Sequence, residues 1–159
     1  MTKIITKKNS GFTLIELLVV IGILGVLLAI VLIAINPARQ FAQANNTARR
    51  SDVNSLLNAI HQFAADNKGL LPANMPAKGA AAENLSSTGA NICADISPTY
   101  IAQLPMDPAA ADSAAIGDCT DETYDTFYQV AVDASGRVTV SADGAEAIGE
   151  DTPVIAVTR

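Results

Sequence analysis

The sequence has no tryptophan, one histidine and two cysteines, and aromatic residues make up only 4% of its 159 positions. A chain with so few large aromatic side chains can bury only a small core. Its length predicts one ordinary domain with a short appendage and excludes a large multidomain enzyme. The hydrophobic fraction of 50% is uneven, since a very apolar amino-terminal part precedes an alanine-rich, weakly hydrophobic body.

Basic residues are scarce in the second half of the chain. Of the 16 acidic residues, 13 lie between Glu83 and Asp151, where Arg137 is the only base. With a formal net charge of −6, this acidic body argues against direct nucleic-acid binding, which needs a basic surface to contact phosphates. We find no nucleophile–base pair and no metal-ligand cluster, and we interpret His61 as a partly exposed structural residue. The sequence therefore predicts no enzymatic activity and no cofactor.

No charged residue interrupts the 19 residues from Leu17 to Ile35. As a helix, residues 12–35 span roughly 36 Å at about 1.5 Å per residue, which is enough to cross a bilayer core of about 30 Å. The run is longer than the apolar region of a cleaved secretory signal, about 7–15 residues. Three lysines precede it and one basic residue follows closely, which places the amino end in the cytoplasm and the body outside it.

Glu16 is an acid near the start of this apolar run. Insertion scales assign a charged residue a cost of roughly 2.5–3.5 kcal/mol at mid-bilayer, and less near an interface. No Lys, Arg or His lies between Gly11 and Asn36 to neutralise it. Its partner must therefore come from another chain, or from a new amino terminus made by cutting this one.

The string Ser10-Gly11-Phe12-Thr13-Leu14-Ile15-Glu16-Leu17-Leu18 resembles the processing site of type IV pilins and the related secretion pseudopilins. The resemblance covers residues 7 to about 66 and is architectural beyond them. It implies that a prepilin peptidase cleaves between Gly11 and Phe12 and N-methylates Phe12. It also implies that Glu16, four residues beyond the new amino terminus, neutralises the amino terminus of a neighbouring subunit during assembly.

An amphipathic pattern follows Pro37, which marks the exit from the apolar run. Apolar residues recur there at spacings of three and four: Val53, Leu56, Leu57, Ile60 and Phe63. We expect this face of the helix to pack on the globular part. The helix is predicted to end at Asn67-Lys68-Gly69, with Gly69 at the C′ position.

The body carries turn and strand patterns. Residues 71–90 indicate a loop with weak helical pieces, and residues 92–100 a short helical turn. Alternation predicts a hairpin of strands 126–132 and 137–142 around a turn at 133–136, with a third strand at 153–158. The fold class is therefore α+β, with a long N-terminal helix, transmembrane in its first half, packed on a small antiparallel sheet. The resemblance implies that this arrangement is a type IV pilin-like layout.

The string Leu104-Pro105-Met106-Asp107-Pro108 has two interpretations with the same structure. It resembles the Leu-Pro-x-Asp-Pro string common in pseudopilins and short pilins. It is equally a rigid, proline-flanked turn.

Cys93 and Cys119 are 26 positions apart in a region without histidine. Such a pair favours a disulfide over a metal site, as suits an exported body, and two free thiols are the alternative.

Four acids surround the second cysteine: Asp118, Asp121, Glu122 and Asp125. Major pseudopilins have a calcium site in this part of the fold, but the spacing here is not that of an EF-hand. We expect a solvated acidic loop and assign no metal ligand, with weak calcium binding as the alternative.

The resemblance implies four segments: a prepilin leader peptide at 1–11, a transmembrane and assembly helix at 12–36, an amphipathic helix at 37–68 and a globular head at 69–159. It implies a structural subunit of a type IV pilus-like filament. Its partners are then copies of itself and related pilins, the prepilin peptidase, the inner-membrane pilus assembly machinery and, before assembly, membrane lipid.

The expected location is a single pass through the cytoplasmic membrane before assembly, and an extracellular or periplasmic filament afterwards. One alternative function is a pseudopilin of a type II secretion system. The other is an uncleaved, membrane-anchored extracytoplasmic binding domain, which predicts an intact leader.

Overall fold

The structure, a computed structural model, describes residues 11–111, 113–120 and 123–159. Residues 1–10, which hold most of the expected leader, lie outside this part. The described elements are, in chain order, α1 (Leu14–Ile35), α2 (Pro37–Asp66), β1 (Glu83–Ser86), α3 (Cys93–Ile96), β2 (Asp125–Val132), β3 (Val138–Ala142) and β4 (Ile155–Thr158). The chain divides into two compact units, one ending at Gln40 and the other running from Phe41 to Arg159.

Helix α1 has no buried residue. Of the described helices, it is the one long and apolar enough to cross a membrane. It ends at Asn36, whose φ of 48° lies in the left-handed region, which asparagine tolerates better than most residues.

Helix α2 buries the face predicted from its periodicity. Val53, Leu56, Leu57 and Ile60 are fully buried, and Phe63 is partly buried against the same core. Because these residues recur every three or four positions, they form one stripe that packs on the sheet.

The end of α2 differs from the sequence expectation by one residue. The Gly69 N–H donates to the Ala64 carbonyl oxygen at 2.7 Å, the six-to-one bond of a Schellman motif. This bond makes Lys68, with a φ of 58°, the left-handed C′ residue and Gly69 the C″ residue. The assignment of Gly69 to C′ was therefore wrong, because the helix closes one position earlier.

The four strands form one antiparallel sheet in the order β1-β2-β3-β4. The predicted β2–β3 hairpin is confirmed, with Val130 opposite Val140 and Gly136 at a φ of 86° in the turn. The third predicted strand is confirmed as β4. Strand β1 was not predicted, since it lies within residues expected to form a loop.

The core lies between α2 and one face of the sheet. Alternate residues of β2 are buried: Thr126, Tyr128, Val130 and Val132. Leu85 of β1, Ile92, Ile96 and Leu104 complete the same cluster. The fold is the predicted α+β, type IV pilin-like layout.

The predicted disulfide is present. Cys93, the first residue of α3, is bonded to Cys119, with the two Cα atoms 5.4 Å apart. Closing a 26-residue span stabilises the folded chain by on the order of 3 kcal/mol in the chain-entropy model. The bond therefore anchors the loop before β2 to the core.

Candidate functional site

The start of α1 forms a capping box. Thr13 is the N-cap residue, and its Oγ1 accepts a hydrogen bond from the Glu16 N–H at 3.2 Å. In return the Glu16 carboxylate accepts the Thr13 N–H and the Thr13 hydroxyl through Oε2, both at 2.8 Å. The spacing Thr-x-x-Glu is the sequence pattern of this motif, but the capping box was not predicted.

The capping box lies entirely on the carboxyl side of the Gly11–Phe12 bond. A chain that begins at Phe12 keeps every donor and acceptor of the motif, because Thr13 contributes an internal N–H and a side chain. Two donors converge on one oxygen of Glu16, so the carboxylate has a fixed orientation at the amino end of the helix. That end carries the positive pole of the helix dipole, which favours a negative charge there.

Gly11 and Phe12 are accessible. The Phe12 side chain is 91% exposed, and no described atom lies within 4 Å of the position that a Cβ on Gly11 would take. The fold itself therefore does not require glycine at position 11. A requirement for glycine at this position would therefore come from a protein that binds the segment.

The apolar surface of α1 continues from this segment. Its large side chains are between about half and more than four-fifths exposed, from Val31 at 48% to Ile33 at 84%. An apolar surface of this size is unstable in water and marks a membrane or protein contact.

A second polar site lies inside the body and was not predicted. Arg49 of α2 is 1% exposed, and its Nε and Nη2 donate to Asp107 Oδ2 and Oδ1 at 2.7 and 2.8 Å. This is the bidentate geometry that guanidinium and carboxylate prefer. The pair joins α2 to the proline-flanked turn, so Asp107 of that turn has a structural role.

The remaining donors of Arg49 are also used. Nη1 donates to Asn46 Oδ1 at 2.9 Å and to Glu146 Oε1 at 3.2 Å, and Nη2 donates to the same Glu146 oxygen at 3.2 Å. All five N–H groups of the guanidinium therefore have acceptors. The arrangement holds three separate parts of the body together and leaves no donor for an anionic ligand.

The electrostatics of this cluster follow from burial and pairing. Burial alone would raise the pKa of Asp107, but the hydrogen bonds from Arg49 and the Ala109 N–H, with the charge of Arg49, hold it below its usual range. At the neighbouring Asp52, burial raises the pKa despite the hydrogen bond from the Tyr128 hydroxyl at 2.7 Å. Asp107 is thus stabilised as an anion, whereas Asp52 is not.

The acidic loop around Cys119 is only partly described, since Asp121 and Glu122 lie outside the described residues. Asp118 is satisfied locally by the Thr120 N–H at 2.9 Å and hydroxyl at 2.6 Å. The described residues contain no group of three or more His, Cys, Asp or Glu side chains placed to hold a metal ion. His61 is half-buried on α2.

The comparisons with known proteins concern the amino-terminal segment. Residues 6–32 match the family model described as the prokaryotic N-terminal methylation motif. No curated protein and no solved structure gave a significant match. The chain therefore carries the prepilin-type motif of type IV pilins and pseudopilins, which indicates a substrate of prepilin peptidase and points to a structural subunit.

Proposed function

We propose that this protein is a structural subunit of a type IV pilus-like filament. Cleavage between Gly11 and Phe12 removes the leader at 1–11, and the new amino group of Phe12 is methylated. Residues 12–36 then hold the subunit in the cytoplasmic membrane until it is transferred to the filament. The observation that carries the proposal is the methylation motif at residues 6–32, most of which forms an apolar helix without a buried residue.

Glu16 is the proposed docking residue. A carboxylate and an ammonium group attract strongly where water is excluded, and neither is stable there alone. The capping box fixes the carboxylate through one oxygen, and we propose that it accepts the Phe12 amine of an adjacent copy. The exposed apolar side chains of α1 supply the rest of the interface. In lipid they act through packing and not through exclusion of water.

Mass spectrometry of the amino end in the host tests the processing step. The proposal expects a chain that begins at N-methyl-Phe12. A mature chain that begins at Met1 would support the membrane-anchored binding domain instead and would exclude the proposal.

A Glu16→Gln variant tests the docking step. Glutamine keeps an acceptor for the Thr13 groups but removes the charge, so we expect normal membrane insertion and strongly reduced filament yield. Glu83→Gln is the matched control, since Glu83 is an exposed acid of the body. Equal filament yield in both variants would contradict the assigned role of Glu16.

A pseudopilin of a type II secretion system is the second candidate. The Leu104–Pro108 string, common in pseudopilins, favours it. Electron microscopy of the host separates the two, because a pilus forms long surface filaments at native expression whereas a pseudopilus does so only on overexpression.

A further inference from the structure

Phe127 adopts a backbone conformation that bulky residues rarely take. Its φ is 61°, and its N–H donates to Asp125 Oδ1 at 2.8 Å. The β1–β2 register is irregular between Asn84 and Ser86, next to this point, and such irregularities redirect side chains. As a result an aromatic ring that is 51% exposed projects from the sheet at the cost of backbone strain.

The ring borders a cleft of about 480 Å³. Asn84, Phe127 and Gln129 line it from the sheet, residues 109–111 from one loop, and Asp143 and Gly144 from another. The Arg49–Asp107 pair also lines it, and because every donor of Arg49 is used, no free cation is offered to an anion. The Asp143 carboxylate is exposed and would repel an anionic ligand.

The groups that remain suit a guanidinium ion. An arginine side chain stacks on an aromatic face and donates several hydrogen bonds in a plane. Phe127 supplies the face, the Asp143 carboxylate accepts charge-assisted hydrogen bonds, and the Gln129 amide oxygen accepts another. The cleft therefore favours an arginine over a phosphate or a carboxylate.

The chain itself carries arginines suited to this role. Arg137 is paired with Asp133, and Arg159 donates to Asn58. Within the described ranges, the side chains of Arg39 and Arg50 have no acid or amide partner, and both are exposed. Arg39 lies four residues beyond the end of α1, where a basic side chain belongs to the headgroup layer of a membrane.

We propose that Arg50 of a second copy inserts its guanidinium into this cleft, against Phe127 and Asp143. The inference rests on the proposed filament, for which cleavage removes Lys3, Lys7 and Lys8 and takes the formal net charge of each copy from −6 to −9. Copies with this charge repel one another when they are brought together. Placing a cation of one copy in an acidic cleft of the next offsets this repulsion. It also assigns a role to the strained aromatic residue.

Disulfide cross-linking tests the contact directly. Both natural cysteines are engaged in the Cys93–Cys119 bond, so introduced cysteines are the only free thiols. Full-length protein with Arg50→Cys and Asp143→Cys is expressed in the host, and sheared filaments are oxidised with copper phenanthroline. We expect a ladder of covalent multimers in denaturing gels without reductant, which collapses to monomer when reductant is added, and no ladder with either substitution alone. The pair Arg39→Cys and Asp143→Cys is the control, and a ladder from that pair alone would overturn the choice of Arg50.

Charge exchange supplies a second measurement. Arg50→Asp and Asp143→Arg should each lower the mass of filament per cell by about fivefold, and the double variant should restore it. Phe127→Gly should lower filament mass while the head melts no lower than the parent, because glycine relieves the positive φ. A merely structural role of Phe127 would move both quantities together and would overturn the proposal.

The outcomes separate this contact from the proposed function. Processed chains that form normal filaments, with neither cross-linking nor rescue by charge exchange, overturn the contact and leave the filament subunit intact. Chains that remain unprocessed and form no filament overturn both.

Discussion

At Arg49, the five N–H groups of one guanidinium are distributed over two carboxylates and one amide inside the body. A buried charge of this kind is tolerated only while its partners stay in place. We therefore expect single substitutions in this cluster to have large effects on stability, although the processing site belongs to the other compact unit.

Replacing Arg49 with leucine leaves the Asp107 carboxylate buried without its counter-ion. We expect a loss of about 3–5 kcal/mol in the free energy of unfolding. Arg50→Leu is the matched control, since the adjacent arginine is exposed, and it should change stability by less than about 0.5 kcal/mol. Thermal melts of the full chain in detergent would measure both, and similar melting temperatures would disprove the structural role of Arg49.

The pair also predicts how stability depends on pH. The folded-state pKa of Asp107 lies below its ordinary value of 3.8, so near and below that value the unfolded chain binds more protons than the folded one. The contribution of Asp107 is complete above its ordinary pKa and is lost as the pH falls through the folded-state pKa. Asp107→Asn should therefore be less stable than the parent at pH 7. It should also lose less stability than the parent between about pH 4 and pH 2, the range over which a paired carboxylate becomes protonated. Parallel melting curves over that range would contradict this assignment.

Arg49 also shows what sequence reasoning could and could not find. It lies four residues before Val53 and so occupies the buried stripe of α2, a pattern that was available in the sequence. The acceptors were not, because Asp107 and Glu146 are 58 and 97 positions away. The Thr-x-x-Glu pattern at Thr13 was likewise available in the sequence. By contrast, no local pattern connects Arg49 to Asp107 and Glu146.

At the scale of elements, hydrophobic periodicity predicted the elements whose structure depends on neighbouring residues in the sequence. The β2–β3 hairpin follows from alternation around a glycine turn, and the buried face of α2 follows from its spacing. Strand β1 has only four residues and one apolar side chain, Leu85. It is a strand because it pairs with β2 some 40 positions later, with Asn84 opposite Gln129, and a local pattern cannot show such pairing.

The end of α2 gives a prediction at this scale. Lys68 holds the left-handed C′ position with a φ of 58°, where a Cβ is unfavourable and glycine is preferred. Lys68→Gly should therefore raise the free energy of unfolding by about 1 kcal/mol. Lys68→Ala keeps the Cβ and should give no such gain, so a comparison of the two melting temperatures checks the motif. Equal gains would show that the charge of Lys68, and not its backbone conformation, matters.

At the scale of the molecule, the chain consists of two compact units with opposite surface chemistry. The core cluster belongs entirely to residues after Gln40, whereas α1 contributes no buried side chain. The disulfide was predicted from the pair of cysteines, whereas the apolar run and the acidic body are features of the sequence itself. The proposed contact between copies could not be predicted in this way, because a single sequence indicates which residues are exposed but not what covers them.

A fragment comprising residues 41–159 tests this division. It contains the whole core and the disulfide, so we expect a soluble monomer with a cooperative melt that is protected by the Cys93–Cys119 bond. The full chain should instead require detergent, because of the exposed side chains of α1. Sedimentation and circular dichroism would measure both properties, and an aggregated or unfolded fragment would show that the body depends on the amino-terminal unit.

The absence of buried residues in α1 has a consequence for how substitutions act across the chain. A change on that helix removes no side chain from the core cluster, so we expect its effect to arise in lipid or against another molecule. A saturation scan should thus sort positions into two groups. Substitutions at the buried core positions after Gln40 alter how much protein accumulates, whereas substitutions in α1 alter the assembly of protein that accumulates normally.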